Sequence, residues 1–580
     1  MPYQKPPPAL KLTNQPVCCQ SAILVLGKTA FRYRTGGQRL RSGRTDLHQI
    51  EQETVAAVAG LRWQDSAERI FLVDAASGAE LTYGQFMAQA ASIAHALIAA
   101  GLEPGQRVAV MGSGTLALLG WMGTLLAGGV ELPIHPDLRG LPLRHAFETG
   151  QPVAMIADWA LLDNLGDTPL PASLFVHARP AGVPHEPGRQ DLEPLLKGGP
   201  AVPPDRLILP SSPAAVLFTS GTSGPAKGAL LPHRQLCMVA AQVVEMTGLD
   251  ARDIVYCAYP LNHVAGKYMC VFAAMSVGAR VVVEKRFAPS IWLSRIRQYG
   301  ATLSMAHGPM LEMIHAQPET PQDGEHDLRR MMCCPLPRAI GAAFERRFNL
   351  KGIEMWGMTE IGNPLWTRSD EPHPAGSCGR LLSDWYDLAI CDPETDEPVP
   401  PGTAGEILVR PKHSFTSLLG YLGQPEATLA SWRNLWFHSG DLAYADAEGN
   451  VFYVDRLGDR IRRRAENISS LDIERAALSA AGVAEAAAIG VPSGFEGDDD
   501  IKLFVVPRPG ASFDPEALLR HMAGMLPHYM LPRYVEPIAA LPRTPTNKVR
   551  KKALREAGPG EAEWDRHRAG LRVETLYRRS

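Results

Sequence analysis

The sequence predicts an α/β protein with a large N-terminal domain of packed α/β subdomains and a small α+β C-terminal domain. Apolar, β-branched runs such as AAVLF, ARVVVE and EILVR alternate with helical patterns such as YGQFMAQAASIAHALIAAG. This alternation is typical of βα units whose sheets are covered on both faces. The length of 580 residues is sufficient for several domains.

The C-terminal part of the chain has a different texture. A hairpin signal at AEGN and a basic stretch, RIRRRAEN, precede a helix that we expect Ser469 or Ser470 to cap. Two short strands follow, EAAAIGV and IKLFVV, and then a helix that Asp514 and Pro515 open. The change predicts a boundary near Asp459, with domains at 46–458 and 459–580.

Composition argues for a small-molecule partner. The 58 Lys plus Arg and 61 Asp plus Glu leave a formal charge of -3, which gives no excess to attract nucleic acid. The nine cysteines include no CxxC and no Cys/His cluster at zinc spacing, so we expect reduced thiols in a cytoplasmic protein. A homodimer is one possible oligomeric state.

Three segments need separate interpretation. The uncharged stretch Val108 to Val130 has the length of a membrane span, but Gly112 to Gly114 interrupt it, which favours a buried strand, a turn and a buried helix. Residues 1–45 contain no acidic residue, and we interpret them as a disordered extension or a start codon placed too early, rather than a transit peptide. The Pro-rich stretch from Arg179 to Pro213 predicts a long surface connection between two subdomains.

The strongest chemical signal is AAVLFTSGTSGPAKG, from Ala214 to Gly228. An apolar strand enters a loop of Thr, Ser and Gly, and a lysine, Lys227, follows. Glycines allow the backbone N–H groups to approach phosphate, the hydroxyls add donors and the lysine adds charge. The spacing differs from the Walker pattern. A phosphate-binding loop is therefore predicted.

This loop resembles the signature loop of the acyl-CoA synthetase, peptide-synthetase adenylation domain and luciferase superfamily. Further motifs of that family follow in order: WGMTE for adenine and magnesium, HSGDL for ribose, VDRLGD before the hinge, and TPTNKVRK with a catalytic lysine. The resemblance extends from about Asp46 to Leu554. It implies an AMP-binding adenylation domain at 46–458 and a mobile C-terminal AMP-binding enzyme domain at 459–580, with Asp459 as the hinge.

The resemblance also implies residue roles. Asp441 and Arg456 would hold the ribose, Tyr453 would line its pocket, and Trp356 to Met358 would lie along the adenine. The family has Gly-Ala-Pro where this chain has Cys333-Cys334-Pro335. The residues assigned to ATP or AMP are Thr219, Ser220, Gly221, Thr222, Ser223, Gly224, Lys227, Cys334, Pro335, Trp356, Gly357, Met358, Thr359, Glu360, Asp441, Tyr453, Arg456 and Lys548.

The catalytic assignments are Lys548, Glu360, Thr219 and His263. Glu360 offers the hard carboxylate oxygen that Mg²⁺ prefers beside a triphosphate. His263, in YPLNHVAG, is predicted to be a gate between the acid and the nucleotide, with a core histidine as the alternative. His307 is a candidate for lining the acid pocket, although a packing role is equally compatible with the sequence.

The basic stretch permits two interpretations. In an extended strand Arg460, Arg462 and Arg464 point to one side, where they could meet the phosphates of coenzyme A. The alternative is a solvated charged face. RRRAENIS resembles the RRGENIS of fatty-acid and crotonobetaine/carnitine ligases, with Ala465 in place of a glycine, and this implies a coenzyme A site at Arg462, Arg464, Ala465 and Glu466.

Together these features imply an ATP-dependent acid–CoA ligase that uses ATP, Mg²⁺ and coenzyme A. The carboxylic acid would first become an acyl-AMP with release of pyrophosphate, and rotation about Asp459 would then replace Lys548 by the Arg462 to Asn467 strand. Alternatives are an enzyme that loads a separate carrier protein, a luciferase-type oxidation, and a non-catalytic nucleotide-binding relative.

Overall fold

The computed structural model describes residues 53–184, 188–219, 226–338, 340–368, 371, 373–456, 461–463, 466–468, 470–495, 498–510, 512–542, 549 and 551–577. The predicted N-terminal extension, Ser469 and the hinge residue Asp459 lie outside this part of the chain. No helix among the described residues is both long and apolar enough to cross a membrane.

The first sheet of the large domain has eight strands in the order β19-β9-β8-β4-β3-β5-β6-β7. The six strands from β8 to β7 run parallel, whereas β9 and β19 are antiparallel to their neighbours. The bounds are β3 Arg107–Met111, β4 Val130–Ile134, β5 Ala154–Asp158, β6 Ser173–His177, β7 Arg189–Asp191, β8 Pro213–Thr219, β9 Lys227–Pro232 and β19 Gly420–Tyr421.

The second sheet has nine strands in the order β16-β15-β14-β13-β12-β10-β11-β1-β2. Its six central strands, from β14 to β1, are parallel. The bounds are β1 Ile70–Asp74, β2 Glu80–Thr82, β10 Ile254–Cys257, β11 Arg280–Val283, β12 Leu303–Ala306, β13 Arg330–Cys333, β14 Lys351–Met358, β15 Gly362–Trp366 and β16 Arg380–Leu381.

A third, antiparallel sheet completes the large domain, in the order β17-β18-β20-β21. Its strands are β17 Tyr386–Cys391, β18 Gly405–Pro411, β20 Phe437–Ala445 and β21 Val451–Arg456. The turn between β20 and β21 is the AEGN hairpin that the sequence predicts.

Helices cover the two large sheets. The helix Gly114–Leu126 is buried on almost every side, which explains its uncharged sequence and confirms that Val108 to Val130 is a strand, a turn and a helix. The α-helices are Val55–Ser66, Tyr83–Ala99, Gly114–Leu126, Gly140–Gly150, Glu193–Gly198, His233–Thr247, Ala273–Val277, Pro289–Tyr299, Gly308–His315, Gly341–Phe348 and Pro425–Ser431, with a π-helix at Ala265–Phe272 and 3-10 turns at Trp159–Leu165 and Arg433–Leu435.

The Pro-rich connection does not separate two subdomains, so that part of the prediction is wrong. It contributes β7 and the helix Glu193–Gly198, and it returns to β8 of the same sheet. Short apolar segments such as Leu192, which is fully buried, anchor the connection to the domain. A dense proline content therefore concealed regular structure.

The small domain begins with the β22-β23 hairpin, Ile461–Arg463 and Glu466–Ile468, whose Ile461 and Ile468 belong to its core. Its four-stranded sheet has the order β24-β25-β26-β27, with strands Val483–Pro492, Asp499–Pro507, Tyr534–Pro537 and Trp564–Asp565. Its helices are Ser470–Leu478, Pro515–Ala523, Lys551–Glu556 and Val573–Leu576, with a 3-10 turn at His528–Met530. As predicted, Pro515 opens its helix and Asp514 caps it by accepting from the Glu516 N–H. The apolar core of this domain is separate from that of the large domain.

A fully buried ion pair joins the first sheet to the π-helix. The Lys267 ammonium contacts the Glu131 carboxylate on β4, and both side chains are excluded from solvent. Burial raises the pKa of Glu131 and lowers that of Lys267, and each partner opposes the shift of the other. The attraction between the two charges therefore offsets the free-energy cost of burying them, and burying either charge without its partner would destabilise the protein.

We expect Lys267→Met to destabilise the protein by about 3–5 kcal/mol, because it leaves Glu131 buried without its cation. Lys267→Met combined with Glu131→Leu should recover most of that loss, since neither charge is then buried. Urea unfolding monitored by tryptophan fluorescence measures both. Arg410→Ala, which removes an exposed ion pair with Asp387, is the control and should change the midpoint far less. A single mutant as stable as the double mutant would contradict this account.

Candidate functional site

The predicted phosphate loop connects two antiparallel strands. Thr219 ends β8, Lys227 begins β9, and the two residues are register partners. The Lys227 ammonium lies 4.9 Å from the centre of the Tyr421 ring. Ser220 to Gly224 lie outside the described residues, so their phosphate contacts stay a prediction.

Glu360 is buried beside this hairpin, at 4% exposure. Its Oε1 accepts hydrogen bonds from the hydroxyls of Thr219 and Tyr421, each at 3.0 Å. The preceding carbonyl, of Thr359, accepts from the Gln235 side chain at 2.9 Å. Thr219, Lys227, Thr359 and Glu360 are thus brought together as predicted. Tyr421 and Gln235 were not predicted, because nothing in the sequence near them indicates a phosphate site.

Asp441 is the second buried carboxylate of the site. Its Oδ2 accepts from the indole Nε1–H of Trp356 at 2.9 Å, and its backbone N–H donates to the Ser439 hydroxyl at 3.0 Å. Trp356 lies near the end of β14, so one strand contacts Asp441 and then leads to Glu360. The two motifs, separated by 85 residues in sequence, therefore form one site.

The residues around Trp356 and Asp441 complete this region. Gly357 has no room for a side chain, since a Cβ there would lie 2.4 Å from the Gly362 carbonyl oxygen. Met358 is partly buried. Tyr453, on β21, is 43% exposed, and Arg456 is the register partner of Asp441, although its side chain lies outside the described set.

The sequence analysis missed a set of contacts around Glu406, here called the Glu406 clamp, that fixes the backbone of the HSGDL segment of β20. Glu406, on β18, accepts from the Gly440 N–H at 2.8 Å and contacts His438 Nδ1 at 3.0 Å. Behind it, Arg433 bonds to Asp396 at 2.9 Å and reaches Glu406 at 3.5 Å. The available signal was Glu406 itself, a charged residue in the apolar strand EILVR. The carboxylates and His438 could by type hold a metal ion, but the Arg433 guanidinium already supplies their positive charge.

A second group of side chains lies at the carboxyl ends of β12 and β13. The Tyr259 ring is 6.4 Å from the His263 ring and 5.9 Å from the His307 ring. His307 follows β12, and the Cys334 N–H donates to the carbonyl of Ala306 at the end of that strand, while Pro335 is partly buried beside it. In parallel α/β sheets ligands bind at this edge, so Tyr259, His263 and His307 define a candidate acid pocket, and Cys334 and Pro335, which the sequence assigns to ATP or AMP, line its edge.

His307 is uncharged in this pocket. Burial, which is the largest cause, and the nearby Arg462 guanidinium and His263 ring together lower its pKa to about 3. His263 is partly buried, and its Nδ1 accepts from the Ala265 N–H at 3.2 Å. The core-histidine alternative therefore fits His307 better than His263, which stays a candidate gate.

The β22-β23 hairpin of the small domain reaches this pocket. The Arg462 guanidinium donates to the Cys334 carbonyl at 3.2 Å, and its backbone N–H donates to Asp499 at 2.9 Å. Arg463 points the opposite way, is buried, and donates to the Leu531 carbonyl at 2.9 Å. Arg462 and Arg463 thus face opposite sides of the strand, and neither belongs to a solvated charged face. Arg460, Arg464 and Ala465 lie outside the described residues, so the common side of Arg460, Arg462 and Arg464 stays a prediction.

Glu466, also predicted for coenzyme A, contacts the large domain. Its Oε1 lies 3.5 Å from His135 Nε2. Burial raises the pKa of the Glu466 carboxyl, an effect that His135 opposes. Its placement next to Arg462 puts both ends of the hairpin against the large domain.

Lys548 lies outside the described residues, but its neighbours are placed. Val549 packs against a small apolar cluster of the C-terminal domain that includes Leu541 and Phe504. The Lys551 ammonium bonds to Ser470 at 2.6 Å and to Glu474 at 2.7 Å. Lys551 therefore has a structural role within the small domain, and it is unsuitable as an exposed control for Lys548.

Comparison with known proteins gives two family matches. The model described as "AMP-binding enzyme" matches residues 61–422, and that described as "AMP-binding enzyme C-terminal domain" matches residues 472–548. The first match contains Thr219, Glu360 and the acid pocket. The matches divide the chain on either side of the β22-β23 hairpin.

Relatives match most of the chain. A feruloyl-CoA synthase from an Amycolatopsis species is 31% identical over 486 residues, which cover 82% of this chain and 94% of the relative. The sulfoacetate–CoA ligase of Cupriavidus necator is 29% identical over 521 residues, or 87% and 97% of the two chains. The solved amide bond synthetase McbA of Marinactinospora thermotolerans has the same fold, with a TM-score of 0.75 over 87% of this chain and all of that chain, at 24% identity.

We expect Glu406→Ala to weaken ATP binding about tenfold. The substitution leaves the Gly440 N–H and His438 without their buried acceptor, and the backbone next to Asp441 is then held less firmly. Titration with ATP, monitored by calorimetry, measures the change. Glu448→Ala is the matched control, since that carboxylate is exposed in the turn of the neighbouring hairpin. Unchanged affinity in a folded Glu406→Ala protein would show that the clamp does not position Asp441.

Proposed function

The chain belongs to the AMP-binding enzyme family, and from that premise we propose that it is an ATP-dependent acid–CoA ligase. It would join a carboxylic acid to AMP with release of pyrophosphate, and then transfer the acyl group to the thiol of coenzyme A. The observation on which this proposal most depends is the pair of buried carboxylates, Glu360 beside the phosphate hairpin and Asp441 at Trp356. Asp441 contacts Trp356 on β14, and Glu360 lies two residues beyond the end of that strand, so we assign Asp441 to the ribose and Glu360 to the phosphates of one ATP molecule.

The Glu360 end suits the phosphates and a magnesium ion. The carboxylate is buried and receives hydrogen bonds from two neutral hydroxyls, so a hard divalent cation fits its donor type and would neutralise its charge. Glu360 would hold the ion, with Thr219 and Lys227 facing the phosphates. When bound, Mg²⁺ neutralises phosphate charge and favours departure of pyrophosphate.

The Asp441 end suits the nucleoside. A carboxylate accepts hydrogen bonds, and a ribose diol donates two. Trp356 fixes the carboxylate through its indole N–H, and the strand that carries Trp356 to Met358 offers a flat wall for the adenine. Arg456 and Tyr453, on the adjacent strand, complete the proposed ribose pocket.

In the first step the substrate carboxylate attacks the α-phosphorus of ATP, and the P–O bond to pyrophosphate breaks. We assign to Lys548 the stabilisation of the negative charge that develops on the α-phosphate. His263, next to Tyr259, would separate the acid from the nucleotide.

In the second step the thiol attacks the acyl carbonyl, the thioester bond forms, and AMP leaves. We infer that the orientation described here corresponds to this step, because Arg462 reaches the Cys334 carbonyl inside the acid pocket. Its charge is available to the carbonyl oxygen or to the departing AMP. Lys548 would serve the first step in a different orientation of the small domain.

The test of this function is a pyrophosphate-release screen over carboxylic acids, with and without coenzyme A. Aromatic acids, sulfonated short acids and fatty acids should all be included, since the relatives act on such different acids. Thioester formation should accompany pyrophosphate release when coenzyme A is present. Release that is coupled to acylation of a carrier protein instead would identify a different acceptor, and tight ATP binding without any release would indicate a non-catalytic relative.

We expect Lys548→Ala to slow acid-dependent pyrophosphate exchange by about 10²–10³, the usual loss for one preorganised donor to a transition-state charge. The same variant should convert supplied acyl-adenylate to the thioester at nearly the normal rate. Lys285→Ala, an exposed lysine of the large domain, is the control. Equal slowing of both steps by Lys548→Ala would contradict the assignment of this lysine to one orientation.

Arg462→Ala should show the opposite pattern, since Arg462 is the residue in the acid pocket in the orientation described. We expect thioester formation from acyl-adenylate to fall about tenfold or more, as for loss of a charged hydrogen-bond donor, while pyrophosphate exchange is retained. Stopped-flow or quenched single-turnover assays separate the steps. If pyrophosphate exchange fell as much as thioester formation, Arg462 would have no step-specific role.

A further inference from the structure

Beyond the hairpin, residues 135–140 of the large domain contact the small domain, and we call this segment the docking strip. The Arg139 guanidinium lies 3.7 Å above the centre of the Tyr577 ring. The Tyr577 hydroxyl donates to the Leu526 carbonyl at 2.7 Å, which fixes the ring on the small domain. A cation over an aromatic face is an attractive contact, and it strengthens when water is excluded.

Gly140 lies directly against the small domain. Its φ is +61°, and a Cβ at this position would lie 2.2 Å from the Met525 carbonyl oxygen and 2.8 Å from its Cα. A glycine is thus required both by its own backbone and by the neighbouring turn of the small domain. The turn that contains Met525 follows directly after the helix Pro515–Ala523.

The N-terminal end of the docking strip contacts the β22-β23 hairpin. His135 contacts Glu466 at 3.5 Å, and its ring lies 5.5 Å from the Tyr529 ring. Asp137 lies 3.7 Å from His528 and 3.0 Å from Arg286. The same short segment therefore holds the C-terminal tail at one end and the Arg462–Glu466 hairpin at the other.

The interface between the two domains lies beside a cavity and joins two separate apolar cores. The cavity has a volume of about 560 Å³ and is lined by residues of both domains that include Arg139, Arg144, Arg520, Met525 and Tyr577. Individual contacts such as Arg139 with Tyr577 and His135 with Glu466 therefore contribute to how often this interface is closed. Tyr577 also lies beyond residue 548, where the family match ends.

We propose that the docking strip, through Arg139, Gly140 and Tyr577, positions the Arg462 hairpin in the acid pocket and so sets the rate of thioester formation. This inference rests on the two-step ligase function proposed above. Arg139, Gly140 and Tyr577 are positioning residues, since they act through Arg462 and touch no reacting atom. Weakening the strip lowers the population of this orientation, and the rate of the second step falls in proportion.

The first test compares Tyr577→Ala and Gly140→Ala with the wild type in separate assays of the two half-reactions. We expect Tyr577→Ala to slow thioester formation from acyl-adenylate by about 2- to 30-fold, the range for loss of one cation–π contact. Pyrophosphate exchange should be unchanged or faster, because the other orientation gains population. Tyr577→Phe keeps the ring over Arg139 and should restore most of the rate.

Gly166→Ala is the matched control for Gly140→Ala. Gly166 also has a positive φ, +50°, and lines the same cavity, but a Cβ there meets nothing within 4 Å. Both substitutions place an alanine at a positive φ, whereas Gly140→Ala alone collides with the small domain. Thioester formation should fall in Gly140→Ala and stay normal in Gly166→Ala.

The second test needs no activity. Hydrogen–deuterium exchange in the free protein should rise at residues 139–141 and 524–526 in Tyr577→Ala and Gly140→Ala, and stay at the wild-type level in Gly166→Ala. Unchanged exchange in all variants, or equal slowing of both half-reactions, would overturn the proposal. A wild type without acid-dependent pyrophosphate exchange would refute the ligase function instead, and the exchange measurement would still decide whether the strip holds the domains together.

Discussion

The site depends on the need of a buried carboxylate for hydrogen-bond donors. Glu360 is almost fully buried, and its donors come from the other large sheet: Thr219 ends β8, and Tyr421 lies on β19. The Leu418 N–H also donates to the Glu360 carbonyl at 2.7 Å. An unsatisfied buried carboxylate is costly, so these bonds hold the end of β14 against the phosphate hairpin and join the two sheets at the site.

The second carboxylate is held by a different arrangement. Asp441 lies on the antiparallel sheet. Glu406 accepts a hydrogen bond from the N–H of the preceding residue, Gly440, and the indole of Trp356 donates to Asp441 from β14. The three sheets of the large domain therefore meet along the last residues of one strand. A rigid large domain follows from this geometry, since a movement of any one sheet would break a buried hydrogen bond.

The contacts between the small domain and the large domain are of a different kind. Its core is separate, and its described contacts to the large domain include polar and aromatic pairs beside a cavity. In the proposed reaction the small domain changes orientation between the two steps, while the buried carboxylates of the large domain keep their hydrogen bonds. This division suits a reaction in which two different groups must reach the same acyl carbon in turn.

The sequence by itself determined the fold class and the strand and helix signals of both domains, and it nominated the main site residues. Local patterns suffice there, because a glycine-rich loop after an apolar strand, a buried strand and a helix cap are each defined by neighbouring residues. The Pro-rich connection was misjudged since its short apolar anchors are weaker signals than its prolines. Ser220 to Gly224, Arg464, Ala465 and Lys548 rest on the sequence pattern.

Only the tertiary structure decided which groups meet. Thr219 and Glu360 are separated by 141 residues, Trp356 and Asp441 by 85, and Arg462 and Cys334 by 128. Separation in sequence also concealed the contacts of Glu406 with the HSGDL segment, the ion pair of Lys551 with Glu474 and the contact of Tyr577 with Arg139. Side-chain chemistry can be read from the sequence, but a partner across a sheet edge or a domain boundary is selected by packing, which no local pattern records.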